Sequence, residues 1–200
     1  MIIIGLTGSI GMGKSTVAGM FRDLGAVIWD ADAAVTRLYA KGGAGVSPVS
    51  ARFPEAIVDG AVDKTLLSKA VIGDAAALRD LEIIVHPLVA KDRADAMAAA
   101  EKAGAPAMVL DIPLLFETGG DAACDVVVVV SAPATIQRKR VLSRPGMSEE
   151  KFDAILAKQT PDSDKRDRAD HVVSTAGPLS ETRDAVSNVW RAILETAKTS

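Results

Sequence analysis

Five short runs of β-branched and aliphatic residues are spread along this 200-residue chain. Strands buried inside a parallel sheet have this nearly continuous apolar pattern, because helices cover both faces of such a sheet. The runs are Ile2–Thr7, Ala26–Asp30, Ala107–Ile112, Asp125–Ser131 and His171–Ser174. We therefore predict an α/β fold with a five-stranded parallel sheet flanked by helices.

Apolar residues at helical spacing predict the helices between these strands, the first of which begins near Lys14. The stretch between the second and third strands is much longer than one crossover helix requires. Within it, we expect one helix to end before Pro87 and a long alanine-rich helix to begin there, because proline fits the first turn of a helix better than its interior. We predict a single domain, with a core at 1–32 and 105–200 and a helical insertion at 33–104.

Composition limits the class of protein. Apolar residues make up 48% of the chain, and the net charge of −3 gives no general attraction to nucleic acid or to an anionic membrane. Cys124 is the only cysteine, which excludes an intrachain disulfide and fits a reducing compartment. No apolar run has the length of a membrane span. We expect a cytoplasmic monomer or weak homo-oligomer that binds neither nucleic acid nor membrane.

Residues 8–15 read Gly-Ser-Ile-Gly-Met-Gly-Lys-Ser, which fits the phosphate-binding pattern G-x-x-x-x-G-K-[ST] directly after the first predicted strand. Glycines allow main-chain N–H groups to turn toward a phosphate, and the next helix points its N-terminus at the same anion. We expect Lys14 to reach the β- and γ-phosphates of ATP and Ser15 to bind Mg²⁺. The candidate nucleotide-binding residues are Gly8, Gly11, Met12, Gly13, Lys14, Ser15 and Thr16. An unliganded turn would require neither the lysine nor the hydroxyl.

Acidic residues end two of the predicted strands, at the edge where doubly wound sheets bind ligands. Asp30 and Asp32 end the second strand, and two such acids allow one to cap the next helix while the other accepts a proton from an attacking hydroxyl. Asp111 closes the third apolar run, where it fits either an acid that holds Mg²⁺ through water or a structural residue. Glu117 follows a Pro-Leu-Leu turn on the expected substrate side.

Basic residues cluster after the fourth strand, at Arg138, Lys139, Arg140 and Arg144. On a helix, Arg140 and Arg144 share a face, where their guanidinium groups can close over phosphates. An arginine supplied to a phosphoryl-transfer transition state contributes about 10³–10⁵ in rate. A solvated basic face is the alternative. We favour a lid at 136–150, because phosphate-loop kinases keep their lid at this place in the chain.

Together these motifs resemble the dephospho-CoA kinase family over nearly the whole chain. The matching segments are Leu6–Thr16, Asp30-Ala31-Asp32, His86-Pro87, Pro113-Leu114-Leu115-Phe116-Glu117, Arg140 with Arg144, Gln159, and Ala169–Val173. The phosphate loop is common to many enzymes. The three segments that follow it, from Asp30-Ala31-Asp32 to the Pro-Leu-Leu-Phe-Glu motif, are much more specific to this family when they occur in this order. Trp29 replaces a residue that is usually aliphatic. After the fifth predicted strand the family often has an asparagine, where this chain has Ser174-Thr175. The residues near 175–177 that contact the adenine are therefore not assigned by the resemblance.

The resemblance implies a P-loop kinase that uses ATP and Mg²⁺ to phosphorylate the ribose 3′-hydroxyl of dephospho-CoA, the last step of CoA biosynthesis. It implies that Asp32 is the base for that hydroxyl and that Lys14, Arg140 and Arg144 complete the catalytic set. It also implies that the insertion at 33–104 binds dephospho-CoA.

Three further residues are expected on the substrate side by this resemblance: His86, Leu114 and Glu117. His86 is equally compatible with capping a helix junction before Pro87. Two other functions compete with this interpretation. One is a small-molecule kinase of the same build that acts on a nucleoside, a nucleotide or shikimate. The other is a nucleotide-dependent switch, although the chain contains no N-K-x-D guanine-reading motif.

Overall fold

The structure, a computed structural model, describes residues 1–199. The strands in chain order are β1 (Ile2–Thr7), β2 (Val27–Asp30), β3 (Ile57–Val58), β4 (Ala61–Val62), β5 (Ala107–Asp111), β6 (Val126–Ser131) and β7 (His171–Ser174). The α-helices are α1 (Lys14–Asp23), α2 (Ala31–Tyr39), α3 (Val46–Arg52), α4 (Lys64–Val71), α5 (Ala75–Lys102), α6 (Ala134–Leu142), α7 (Glu149–Leu156), α8 (Asp162–Asp167) and α9 (Leu179–Thr199). The chain forms two compact units, one made of Met1–Trp29 with the segment that begins at Ala100, and the other of Asp30–Ala99.

The main sheet contains five strands in the order β2-β5-β1-β6-β7. The pairs β5–β1, β1–β6 and β6–β7 are parallel, with Leu6 opposite both Asp111 and Val128. The predicted parallel α/β sheet is therefore confirmed. This strand order brings the carboxyl end of β1 between those of β5 and β6, which is where a doubly wound sheet binds its ligand.

Helices α1 and α9 pack against each other beside the sheet. The ring of Phe21 meets the edge of Trp190, with ring centroids 6.2 Å apart and an interplanar angle of 60°. Ile4, Leu6 and Val128 from the strands are fully buried in the same core. This packing anchors α1 and with it the loop that precedes it.

The unit at Asp30–Ala99 has a hydrophobic core of its own. The buried members of that core are Leu38, Tyr39, Val49, Phe53, Ala56, Val62, Leu67, Ala77 and Val85. Strands β3 and β4 form a small antiparallel hairpin, which the sequence analysis did not predict. Its turn contains Asp59 and Gly60 at φ values of 51° and 81°. Asp-Gly is a common pair in such turns because both residues tolerate the left-handed conformation.

Helix α5 is continuous from Ala75 to Lys102, so the predicted break before Pro87 was wrong. Pro87 cannot donate a main-chain hydrogen bond to Ile83, four residues earlier. Both residues lie on an exposed face of the helix, where water can bind the Ile83 carbonyl in place of the missing amide. Among the described residues, no helix has the length and apolar character needed to cross a membrane.

Candidate active site

The phosphate-binding motif forms the turn between β1 and α1. Gly13 caps α1 at a φ of 90°, a left-handed conformation that glycine adopts without strain. Gly8 lies so close to β6 that a Cβ atom there would be 2.5 Å from the carbonyl oxygen of Val130. The turn is therefore held tightly over the carboxyl ends of β1 and β6.

Side chains from outside the turn bind its carbonyl groups. The Ile10 carbonyl accepts a 2.8 Å hydrogen bond from Gln137 Nε2, and the Met12 carbonyl accepts one of 2.7 Å from Thr175 Oγ1. In a trans peptide the next N–H group points the opposite way. The amides of Gly11 and Gly13 therefore face away from these side chains, which keeps them from these partners and suits them to bind an anion.

Lys14 and Asp111 form an ion pair at this turn. Lys14 begins α1 and Asp111 ends β5, so the strand order brings together two residues that are 97 positions apart. The Asp111 side chain is only 3% exposed and that of Lys14 is 16% exposed. Ser15, next along α1, is exposed. The structure thus places an ammonium, a carboxylate and a hydroxyl within one site.

Arg140 is anchored at the other side of the turn. Its guanidinium donates to the Thr175 carbonyl at 2.6 Å, to Thr175 Oγ1 at 2.9 Å and to the Gly11 carbonyl at 3.5 Å. Arg144 is exposed and lines the same cleft of about 260 Å³ with Gly13 and Thr16. The two arginines therefore line one cleft with the phosphate loop, and Arg140 is hydrogen-bonded to that loop.

Thr175 is a site residue that the sequence analysis left without a role. It is 6% exposed and connects the Met12 carbonyl with the Arg140 guanidinium. The sequence marked this position only because Ser174-Thr175 differs from the residues that the family often has after β7. The contact depends on the pairing of β6 with β7, which places residue 175 beside residue 12.

The two acids after β2 have different surroundings. Asp30 Oδ1 accepts a 2.9 Å hydrogen bond from the Ala33 amide and so caps α2. Asp32 lies in the first turn of α2, and it is exposed. One acid therefore caps the helix, and the other presents its carboxylate to solvent.

Two of the predicted substrate-side residues are also exposed. His86 lies within α5, which continues through Pro87, so there is no helix junction for it to cap and that alternative was wrong. Leu114, in the turn after β5, is 39% exposed.

Glu117 has partners inside the protein. Its Oε1 accepts a 2.7 Å hydrogen bond from the Thr160 amide and lies 2.9 Å from the ammonium of Lys165, which is fully buried. Burial alone would raise the pKa of Glu117, but hydrogen bonds from Lys165 and from the Thr160 amide outweigh it and lower the pKa below its usual value. Oε1 of this carboxyl group is therefore occupied by these two groups.

A protein-family model described as dephospho-CoA kinase (CoaE) matches residues 2–181. The chain belongs to the dephospho-CoA kinase family. A dephospho-CoA kinase from Jannaschia sp. strain CCS1 is 53% identical over 192 residues, which cover 96% of this chain and 97% of the relative. The family inferred from the motifs is confirmed, and this favours a dephospho-CoA kinase over the competing functions.

Solved structures share the fold of this chain. TT1252 from Thermus thermophilus superimposes with a TM-score of 0.85 at 36% identity, covering 96% of this chain and 97% of the other. Dephospho-CoA kinase from Campylobacter jejuni gives a TM-score of 0.72 at 23% identity, with 98% of each chain covered, which is a likeness of fold. The dephospho-CoA kinase fold therefore accounts for nearly the entire chain.

Proposed function

We propose that this enzyme transfers the γ-phosphoryl group of ATP to the ribose 3′-hydroxyl of dephospho-CoA, giving CoA and ADP. The proposal depends on one observation, namely that a chain of this family has its loop amides and the Lys14 ammonium in a single site. Phosphoryl transfer requires chiefly positioning and neutralisation of negative charge, and this site supplies both. We further propose that the enzyme works in the cytoplasm as a monomer or weak homo-oligomer.

ATP would bind with its phosphates in the loop formed by Gly8–Thr16. The loop amides and Lys14 are suited to the β- and γ-phosphates. The nucleoside part would occupy the cleft between Gly13, Arg140 and Gly177. Arg144, on the same cleft, would neutralise charge on the transferring group.

Ser15 and Asp111 would hold Mg²⁺ together with the phosphates. A hydroxyl and a carboxylate are the hard oxygen donors that this cation prefers, and it takes its remaining ligands from water and phosphate. The described residues contain no cluster of three or more His, Cys, Asp or Glu side chains arranged to hold a metal ion, and this mode of binding requires none. Bound Mg²⁺ supplies neutralisation of phosphate charge.

Dephospho-CoA would bind to the unit at Asp30–Ala99, with His86 among its contacts. Leu114, in the turn after β5, is a further residue proposed to bind this substrate. Asp32 would orient the ribose 3′-hydroxyl and accept its proton, a role for which an exposed carboxylate is suited. Asp30, which caps α2, fixes the first turn of the helix that carries Asp32.

Mass spectrometry of the acceptor tests the reaction directly. After incubation with ATP and Mg²⁺, dephospho-CoA is expected to gain one phosphate and to co-elute with authentic CoA. CoA itself, whose 3′-position is already phosphorylated, serves as the control acceptor and gains none. Phosphate transfer to a nucleoside or to shikimate, with dephospho-CoA left unchanged, would contradict the proposal.

Replacing Arg140 with alanine is expected to lower kcat about 10²- to 10³-fold, the size of effect seen when one donor to a developing charge is lost. ATP should also bind more weakly, because the hydrogen bonds to Gly11 and Thr175 are lost. Steady-state kinetics at saturating ATP measure the first effect. Arg138→Ala is the matched control on the same helix, since Arg138 pairs with Glu149 instead. An unchanged kcat in Arg140→Ala would make Arg140 a purely structural residue.

A further inference from the structure

Gln159 contacts the phosphate loop, although neither the motif pattern nor the reaction assigns it a role. Its Oε1 atom accepts a 3.1 Å hydrogen bond from the Ile10 amide. The Ile10 carbonyl accepts from Gln137 Nε2 on α6. Two side-chain amides from different parts of the chain therefore bind both main-chain polar groups of one loop residue. This arrangement fixes the orientation of the peptide groups on either side of Ile10.

Gln159 lies in the short turn between α7 and α8, and the next residue is held by Glu117. The Thr160 amide donates to Glu117 Oε1 at 2.7 Å. The same oxygen is 2.9 Å from the ammonium of Lys165 on α8. The turn that carries Gln159 is thus attached to the Pro-Leu-Leu-Phe-Glu motif at one point and, through the ion pair, to α8.

The Glu117–Lys165 ion pair is largely buried, which is unfavourable for two charged groups. The Lys165 side chain is fully buried and that of Glu117 is 15% exposed, so removing these charges from water is unfavourable unless the two partners are well placed. Contacts from Lys165 and from the Thr160 amide hold the pKa of Glu117 below its usual value and so favour the charged form of this carboxyl group. The Thr160 amide, which contacts this ion pair, lies one residue after Gln159, which contacts the phosphate loop.

We propose that Gln159 is a positioning residue for the phosphate loop and that the Glu117–Lys165 ion pair fixes the turn that carries it. Glu117 then acts on ATP binding through Thr160 and Gln159, rather than by contact with dephospho-CoA. The inference rests on ATP binding in the loop, which is part of the proposed function.

Gln159→Leu tests the first half of this inference, because leucine has similar size and no acceptor for the Ile10 amide. The dissociation constant of ATP, measured by titration calorimetry, is expected to rise about tenfold, which corresponds to the loss of roughly one hydrogen bond. The KM for dephospho-CoA and the melting temperature should change little. Asn188→Leu is the matched control, since it replaces an exposed amide on α9; its ATP affinity should equal that of the wild type.

The double variant Glu117→Gln/Lys165→Met tests the second half. Removing both charges together avoids leaving one of them buried without its partner. ATP affinity is expected to fall several-fold, and Gln159→Leu should have a smaller additional effect in this background than in the wild type, as coupled residues do. Fully additive effects would contradict the link between the ion pair and Gln159.

The outcomes separate this inference from the proposed function. Unchanged ATP affinity in Gln159→Leu would overturn the positioning role alone, while the kinase reaction would stand. A wild-type chain that did not bind ATP would overturn both. An equal loss of affinity for ATP and for dephospho-CoA in Gln159→Leu would indicate general loosening of the fold and would also contradict the inference.

Discussion

Replacing Lys14 with alanine is expected to reduce kcat about 10³-fold, the upper range for loss of one donor to a developing charge. The loop amides remain in the variant, so ATP should still bind, though more weakly. What disappears is the ammonium that we propose to neutralise the phosphates at the start of α1. A coupled assay of ADP release at saturating ATP and dephospho-CoA measures the change.

Two controls make this result interpretable. Arg22→Ala removes an exposed cation from the same helix and should keep the wild-type kcat. The melting temperature of Lys14→Ala must also be measured, because Lys14 is a partner of the buried Asp111 carboxylate. A folded Lys14→Ala enzyme that kept more than a tenth of the wild-type kcat would show that Lys14 holds the empty loop without taking part in transfer.

Strands β1, β5 and β6 could be predicted from the sequence because they are buried on both faces, so that each is a nearly continuous apolar run. Strands β2 and β7 at the edges of the sheet are shorter and less buried, and their β-branched residues gave a weaker signal. Strands β3 and β4 have only two residues each, which is too short for any periodicity. Only the Asp59-Gly60 pair marks their turn, and a two-residue signal of this kind is easily overlooked.

Helix α5 shows where a local rule fails. Proline usually ends a helix, and this rule predicts that a helix ends before Pro87. The outcome depends on which face of the helix the proline occupies, because an exposed face lets water replace the lost hydrogen bond. That face is set by how α5 packs on its neighbours, so it could not be derived from the residues next to Pro87.

The candidate site also contains a part that could be predicted from the sequence and a part that could not. The phosphate loop could be predicted residue by residue, since eight consecutive positions carry its chemistry. The partners of that loop could not, because Thr175 is 163 positions from Met12 and Gln159 is 149 positions from Ile10. Likewise, the Pro-Leu-Leu turn and the family resemblance predicted Glu117 on the substrate side, but only the packing of α8 shows that Lys165 is its partner.

Asp32→Asn is expected to lower kcat about 10²- to 10⁴-fold, the usual contribution of a general base. Asparagine has the same shape and can still hydrogen-bond the ribose hydroxyl, but it cannot take up the proton at neutral pH. ATP affinity should be nearly unchanged, because the proposed role of Asp32 concerns only the acceptor. Single-turnover kinetics with a separate titration of ATP distinguish these two effects.

Asp59→Asn is the matched control for this variant. It makes the same chemical change at an exposed position of the same compact unit, and asparagine tolerates the φ of 51° at that turn. Its kcat should equal that of the wild type. If Asp32→Asn instead lost ATP binding and kept its transfer rate, Asp32 would belong to the nucleotide site. The proton would then need another acceptor, and Asp30 would be a poor choice because its carboxylate already caps α2.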